Sequence, residues 1–364
     1  MVLILSLLLA GALVGFGRRF IQKHSGLCYL FAALISCGVV ALVWSGVSKG
    51  WTGWTLTLAN IFLQGGLAGA FFILVMFAGA FPDRHPFRRA IMPIRGPLSI
   101  LASILTLGHN LAYGRTYFVY LFAQPDSLRW NVLAAALCSI VMILIMLPLF
   151  VTSFLRVRRR MQPRRWKRLQ RLAYGFYGLM YIHVLLLNIT GAREGKWTAL
   201  LNLALYSALF LTYASMRLGK AAEKQKKENW TPWIRLICAG LLAGILVLLL
   251  APGATTAPEG EENAAVAYEE PEAWADGKYK GAAIGYNGRL TVSVVVKEGK
   301  LNRIVCTGNV EDEPYITNAT EGVFSAMIEG NTTIVDTVSS ATTTSDALIE
   351  AVREALKDAG MDNT

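Results

Sequence analysis

Apolar and polar positions divide the chain into two parts with different periods. Runs close to the ~20 apolar residues needed to cross a hydrocarbon core about 30 Å thick recur at roughly 2–17, 27–48, 54–80, 97–122, 130–155, 172–190, 198–216 and 233–251. Each reads as a membrane span. The first run lacks the basic start of a secretory signal and is followed by Arg18 and Arg19, so it reads as a short first helix with its amino terminus outside. Beyond residue 276 the period drops to two: Leu290, Val292, Val294 and Val296 alternate with polar neighbours, Glu298-Gly299 makes a turn, and a second strand runs through Ile304. A helical period returns in SDALIEAVREALKDAG, where Ala347, Leu348, Ala351, Val352, Ala355 and Leu356 share one face and Gly360 is the stop. Between the two parts, residues 252–275 are rich in Pro, Ala and Glu without apolar periodicity, which predicts a flexible acidic linker.

Composition sharpens this division. Of the 364 residues 54% are hydrophobic and 16% charged, well below the roughly 25% charged residues of a soluble domain, and an ordinary cytosolic enzyme is excluded. The formal net charge of +11 suggests an anionic partner until it is partitioned. Residues 1–251 hold 27 of the 35 Lys and Arg but 5 of the 24 Asp and Glu, a net of +22, whereas the remainder carries −11. Most of the basic residues fall in every second connection: Arg18, Arg19 and Lys23; Arg84 to Arg95; Arg156 to Arg171; and Arg217 to Arg235. Positive loops mark the cytosolic face, so the run RVRRRMQPRRWKRLQR reads as a lipid-facing loop and not a nucleic-acid patch. The chain after the eighth span then lies outside a bacterial cell membrane. The expected fold is a membrane all-α helical bundle of about eight transmembrane helices (1–251), a linker (252–275) and a small extracytosolic α+β domain (276–364). Five dispersed cysteines show no metal or disulfide spacing.

Four histidines stand out in so apolar a chain. His24 and His85 fall in basic loops and read as interface residues, but His109 and His183 lie about 12 and 11 residues into their spans, near the bilayer midplane. Ionisable groups at that depth are expensive and usually functional. Two imidazoles at one level on separate helices suit bis-histidine ligation of haem; structural and proton-relay roles suit them as well.

The surroundings of these histidines carry a resemblance. Arg95-Gly96-Pro97-Leu98 leads to Leu107-Gly108-His109-Asn110-Leu111-Ala112-Tyr113, and Arg165-Trp166-Lys167-Arg168-Leu169-Gln170-Arg171-Leu172-Ala173-Tyr174 precedes His183. Together, over roughly spans two to seven, these resemble the ferric-reductase-like transmembrane family, nearest in look to the haem-binding membrane subunit of the periplasmic methionine sulfoxide reductase system. The resemblance implies a b-type haem with His109 and His183 as axial ligands. The family pattern has histidine after Trp-x-x-Leu where this chain has Gln170, which is no usual iron ligand, so one haem is expected. Arg115, beyond His109 toward the outer face, suits either a haem propionate or the outer headgroups.

The last third carries the most specific local signal, Asp336-Thr337-Val338-Ser339-Ser340-Ala341-Thr342-Thr343-Thr344-Ser345. By chemistry alone this is a hydroxyl-rich helix start, with Ser345 or Thr344 as N-cap and amides suited to a phosphate. Asp-Gly-x-Tyr-x-Gly at 276–281, the valine-rich hairpin and Asp-x-x-Ser-Ser-Ala-Thr stand in the order seen in the FMN-binding domain family, which this region resembles. That family includes the flavinylated subunits of the sodium-pumping NADH:quinone reductase and Rnf complexes. The resemblance implies covalent FMN on Thr342, attached by a flavin transferase acting outside the cytosol. It also implies that Asp336 is the acidic residue the transferase motif requires, with Ser339, Ser340, Ala341 and Thr343 beside the acceptor and Thr343 or Thr344 as alternative acceptors.

The expected function is transmembrane electron transfer from a quinol or cytosolic flavin reductase, through haem b and FMN, to an extracytosolic redox partner. Membrane lipid is the surrounding solvent and nucleic acid is no partner. Two rivals are a transporter or channel with an external domain, which would want Gly- or Pro-interrupted spans such as Gly65-Gly66 provides, and a non-enzymatic sensor or assembly protein.

Overall fold

The computed structural model describes residues 1–51, 53–226, 229–250, 270–271, 273–313, 315–339 and 341–360. Most of the expected linker, 252–269 and 272, lies outside them. The chain divides into two compact units: Met1–Gly46, Thr52–Arg115 and Ala134–Ala257 form the first, and Val47–Trp51, Thr116–Leu133 and Pro258–Thr364 the second.

Within the helical part, α1 spans Val2–Lys23, α2 Ser25–Trp44, α3 Gly53–Leu63, α4 Gly66–Ala80, α5 Pro86–Ile91, α6 Arg95–Ala123 and α7 Trp130–Ser153. Two short helices follow, α8 (Leu155–Arg160) and α9 (Pro163–Gln170), then α10 (Leu172–Arg193), α11 (Trp197–Lys224) and α12 (Trp230–Leu250). Among the described residues seven helices are long and apolar enough to cross a membrane, and α3 with α4 makes an eighth if the pair is one span. This is a multi-pass membrane protein. Its outward residues are themselves apolar, as Phe16 (94% exposed) and Leu8 (65% exposed) illustrate, which is the surface that lipid and not water requires.

The third expected span is not one straight helix. It bends by 52° between α3 and α4, because Gly65 adopts a left-handed φ of 71° that only glycine takes without strain. Small residues elsewhere allow close helix approach. A Cβ on Gly108 would fall 2.5 Å from the Ser36 Cβ of α2, and the Ser36 hydroxyl donates to the Ile104 carbonyl of α6 at 3.1 Å. The basic run 156–171, expected as a solvated loop, folds instead into α8 and α9. It is pinned there by the Arg158 guanidinium 4.3 Å over the Trp166 ring and by the Trp166 indole donating to the Thr152 carbonyl at 3.2 Å.

The second unit carries three antiparallel strands in the order β1 (Gly277–Ile284), β2 (Arg289–Lys297), β3 (Lys300–Gly308), with α13 (Tyr315–Gly330) and α14 (Thr342–Leu356). Leu290, Val292, Val294 and Val296 are all buried, as alternation predicts, and the β2–β3 turn sits at Glu298 (φ 54°) and Gly299 (φ 70°). The Asp-Gly-x-Tyr-x-Gly stretch acts here as a structural device. The Asp276 carboxylate accepts the Glu298 and Gly299 amides, both at 2.9 Å, which holds it below the usual carboxylate range. Gly281 lets β1 lie directly on α14: a Cβ there would fall 2.1 Å from the Ala351 carbonyl oxygen and 2.5 Å from the Ala355 nitrogen. Gly281→Ala must therefore part strand from helix at a cost of about 1–3 kcal/mol. Hydrogen exchange in the solubilised chain is expected to show faster exchange of the β2 amides, with the helices of the first unit unaffected.

Candidate functional site

The two deep histidines are anchored alike, on different helices of the first unit. His109 lies on α6 and its Nδ1 is 2.9 Å from the Leu63 carbonyl, at the end of α3. The bend supplies that acceptor, since a carbonyl in the last turn of a helix has no intrahelical donor. Gly65 also makes room for the ring, because a Cβ there would be 3.3 Å from the His109 Cγ. His183 lies on α10, with its Nδ1 3.1 Å from the Ala135 carbonyl and 3.2 Å from the Ser139 hydroxyl, both on α7; that hydroxyl donates to the same carbonyl at 3.0 Å. A carbonyl only accepts, so each Nδ1 carries the proton and each ring presents its lone pair on Nε2. This donor chemistry fits a metal-bound pair, in which the second ring nitrogen donates to a fixed oxygen. Sequence alone pointed to the histidines but not to Leu63, Ala135 or Ser139. Among the described residues there is no group of three or more His, Cys, Asp or Glu that could hold a metal ion.

Other residues singled out by sequence fall into place. The Arg115 guanidinium stacks 5.1 Å over Trp44, the last residue of α2. His85 accepts the Phe87 amide and caps α5. Gln170 donates to the Thr152 hydroxyl at 3.3 Å.

In the second unit the hydroxyl run divides by direction. α14 starts at Thr342 behind Ala341, which offers no side-chain cap. The expected cap at Ser345 or Thr344 is therefore corrected: both lie inside the helix and are buried. The Ser345 hydroxyl accepts the Val338 amide at 3.1 Å, and the Thr344 hydroxyl donates to Glu311 at 2.8 Å. Thr342, Asp336 and Ser339 are exposed, Thr343 is half-buried, Ala341 is buried, and Ser340 lies outside the described residues. The helix thus opens with the exposed Thr342 hydroxyl at its positive end, a fit for a phosphate.

Behind this turn is a polar network that sequence reading missed. Glu311 accepts the Asn287 amide at 2.8 Å besides the Thr344 hydroxyl, Asn287 donates through its side chain to the Tyr117 hydroxyl at 3.0 Å, and Tyr117 donates to Asp312 at 2.6 Å. Leu128 forms an antiparallel bridge with Gly288. The acidic run in EDEP was a visible signal, but its partners come from three distant segments.

Comparison with known proteins agrees with this division. Residues 285–357 match the FMN-binding domain family. Over 350 residues, covering 93% of this chain and 94% of its counterpart, the sequence is 36% identical to an uncharacterized protein of Treponema pallidum (strain Nichols). The chain belongs to that protein's family, and this chain is a multi-pass membrane protein carrying an FMN-binding domain. No solved structure matches the chain.

Burial raises the Glu311 carboxyl above its ordinary value, opposed by the Asn287 amide and the Thr344 hydroxyl. The folded state then keeps this proton to higher pH than the unfolded state. Its stabilising contribution is complete below the ordinary glutamate pKa and is lost as pH rises through the raised one. Glu311→Gln, which mimics the protonated form, is expected to flatten that fall, as read from denaturation of the second unit at a series of pH values.

Proposed function

We propose that this chain is a membrane redox protein, passing electrons from a membrane quinol or a cytosolic flavin reductase to an extracytosolic acceptor. FMN esterified to Thr342 and a b-type haem between His109 and His183 would be its cofactors. The observation that carries the reading is Thr342 itself, an exposed hydroxyl at the first position of an uncapped helix inside an FMN-binding domain. Thr344, by contrast, is buried and bound to Glu311, which favours Thr342 as the acceptor a flavin transferase could reach. Exposed Asp336, six residues earlier, is available to that enzyme. The positive N-terminal end of α14 would favour the flavin phosphate.

For the haem, the support is the matched Nδ1 anchoring of two histidines on α6 and α10, which orients each Nε2 lone pair. Haem exchanges single electrons and flavin one or two, so the pair suits a one-electron carrier handing on to a two-electron one. The ferric-reductase-like resemblance, nearest to the membrane subunit of the periplasmic methionine sulfoxide reductase system, belongs with this reading. Arg115 is tied to Trp44, which favours an interfacial role over a propionate contact. An extracytosolic flavin domain is supported inside the second unit: the residue that bridges Gly288 is Leu128, in the turn between α6 and α7. That turn follows the end of α6 opposite to Arg95 and the basic connection before it.

In cells that also express a flavin transferase, the denatured chain should give a fluorescent flavin band on a gel. Thr342→Ala should abolish the band while Thr344→Val keeps it, and a band persisting in Thr342→Ala sinks the assignment. Purified protein should show a Soret band, and His109→Ala or His183→Ala should remove at least about 90% of it. Full haem retention in both variants would overturn the ligand pair.

A further inference from the structure

A second site lies in the helical unit, away from the histidines. A cavity of about 100 Å³ is walled by α4, α6, α7, α10 and α11, with Gln170 of α9 at its edge. Its walls include Arg95 and Arg217, Tyr174, Tyr177 and Tyr213, and several serines, but, among the described residues, no Asp or Glu. Arg95 and Arg217 come to this one cavity from α6 and α11. Arg217 is held in place by its donations to the Gly79 carbonyl at 3.1 Å and to the Tyr174 hydroxyl, and it stacks over the Tyr174 ring. Asp83, the carboxylate between α4 and α5, is engaged by Arg88 at 3.0 Å and Lys220 at 3.7 Å and is not part of the wall.

Two positive groups in a half-buried cavity without a carboxylate lack the counter-charge that makes such burial tolerable. A guanidinium has five donors in a planar fork; Arg217 spends some of them on the Gly79 carbonyl and the Tyr174 and Tyr213 hydroxyls, and the remaining geometry suits a tetrahedral oxyanion. The rest of the wall, including Phe72, Met76 and Met146, is apolar. We propose that this cavity binds a phosphoryl group, with Arg95 and Arg217 as its charged ligands and the tyrosine hydroxyls completing the shell. The phosphate can come from an anionic lipid headgroup or from free phosphate; the cavity lies in the part of the bundle flanked by the basic connections, where anionic lipid concentrates. This proposal does not depend on either cofactor.

The experiment uses the full-length purified chain at matched ionic strength. Thermal unfolding is followed in detergent with inorganic phosphate against chloride, and in nanodiscs of phosphatidylglycerol against phosphatidylcholine. Stabilisation by inorganic phosphate identifies the free anion as a ligand, and stabilisation by phosphatidylglycerol alone identifies a lipid. In either case Arg95→Gln and Arg217→Gln should each weaken the effect about tenfold on the ligand axis, and Arg217→Lys, which keeps the charge, should weaken it less. If the wild-type chain responds to neither form of phosphate, or if the glutamine variants respond as the wild type does, the proposal is wrong. The absence of a wild-type response overturns the proposal even where a variant fails to fold.

Discussion

Inside a bilayer no water is at hand for a backbone group that a helix leaves unpaired, so every break in a span must be closed by protein. The bend between α3 and α4 turns this constraint to use. Gly65 takes the left-handed conformation that ends α3, the Leu63 carbonyl is left without an intrahelical donor, and His109 of α6 approaches that carbonyl through Nδ1. One contact thereby closes the break, joins α3 to α6 and fixes the tautomer of the imidazole. The same glycine leaves the space the ring occupies. His183 reaches the equivalent state by another route, with an intact α7 lending the Ala135 carbonyl and the Ser139 hydroxyl. Two separate backbone carbonyls thus impose the same chemical form on two side chains from different spans.

The C-terminal unit solves a different problem. A three-stranded sheet has little core of its own, and its stability rests on how closely α13 and α14 lie on it. Gly281 removes the side chain that would hold α14 away from β1, and the face of α14 bearing Leu348, Val352 and Leu356 covers Leu290, Val292 and Val294. With the helix so placed, the direction of each hydroxyl in the run 342–345 follows from helical geometry. Thr342 faces out, while Thr344 and Ser345 face in, to Glu311 and to the Val338 amide. The burial that positions Thr344 also raises the proton affinity of Glu311, so the packing of the sheet and the chemistry beside the flavin motif are linked through one carboxyl group.

Much of this was legible in the chain. The valines of β2, the Glu298-Gly299 turn and the apolar face of α14 all follow from local periodicity, and so do seven of the eight spans. The α13 helix had a readable signal in Ile316, Ala319, Val323 and Met327, spaced at three and four residues, whereas β1 is glycine-containing and irregular in burial. The acidic run at 311–313 could be noticed but not interpreted, since Asn287, Tyr117 and Thr344 are brought to it by three other segments. The N-cap at Ser345 failed because hydroxyl residues suit a cap and a helix interior equally when their partner is unknown.

Sequence by itself determined the two-part organisation, the spans, the alternation of charge between connections, and the identity of His109, His183 and Thr342 as the residues to watch. These depend on period, hydropathy and the order of residues, which are properties of neighbouring positions. Tertiary structure alone decided that the third span is broken, that both deep histidines carry their proton on Nδ1, that one threonine of three is presented outward, and that Arg95 and Arg217 share a cavity without a carboxylate. Each of those is a matter of which group from a distant segment satisfies a charge or a hydrogen bond, and only packing brings such groups together.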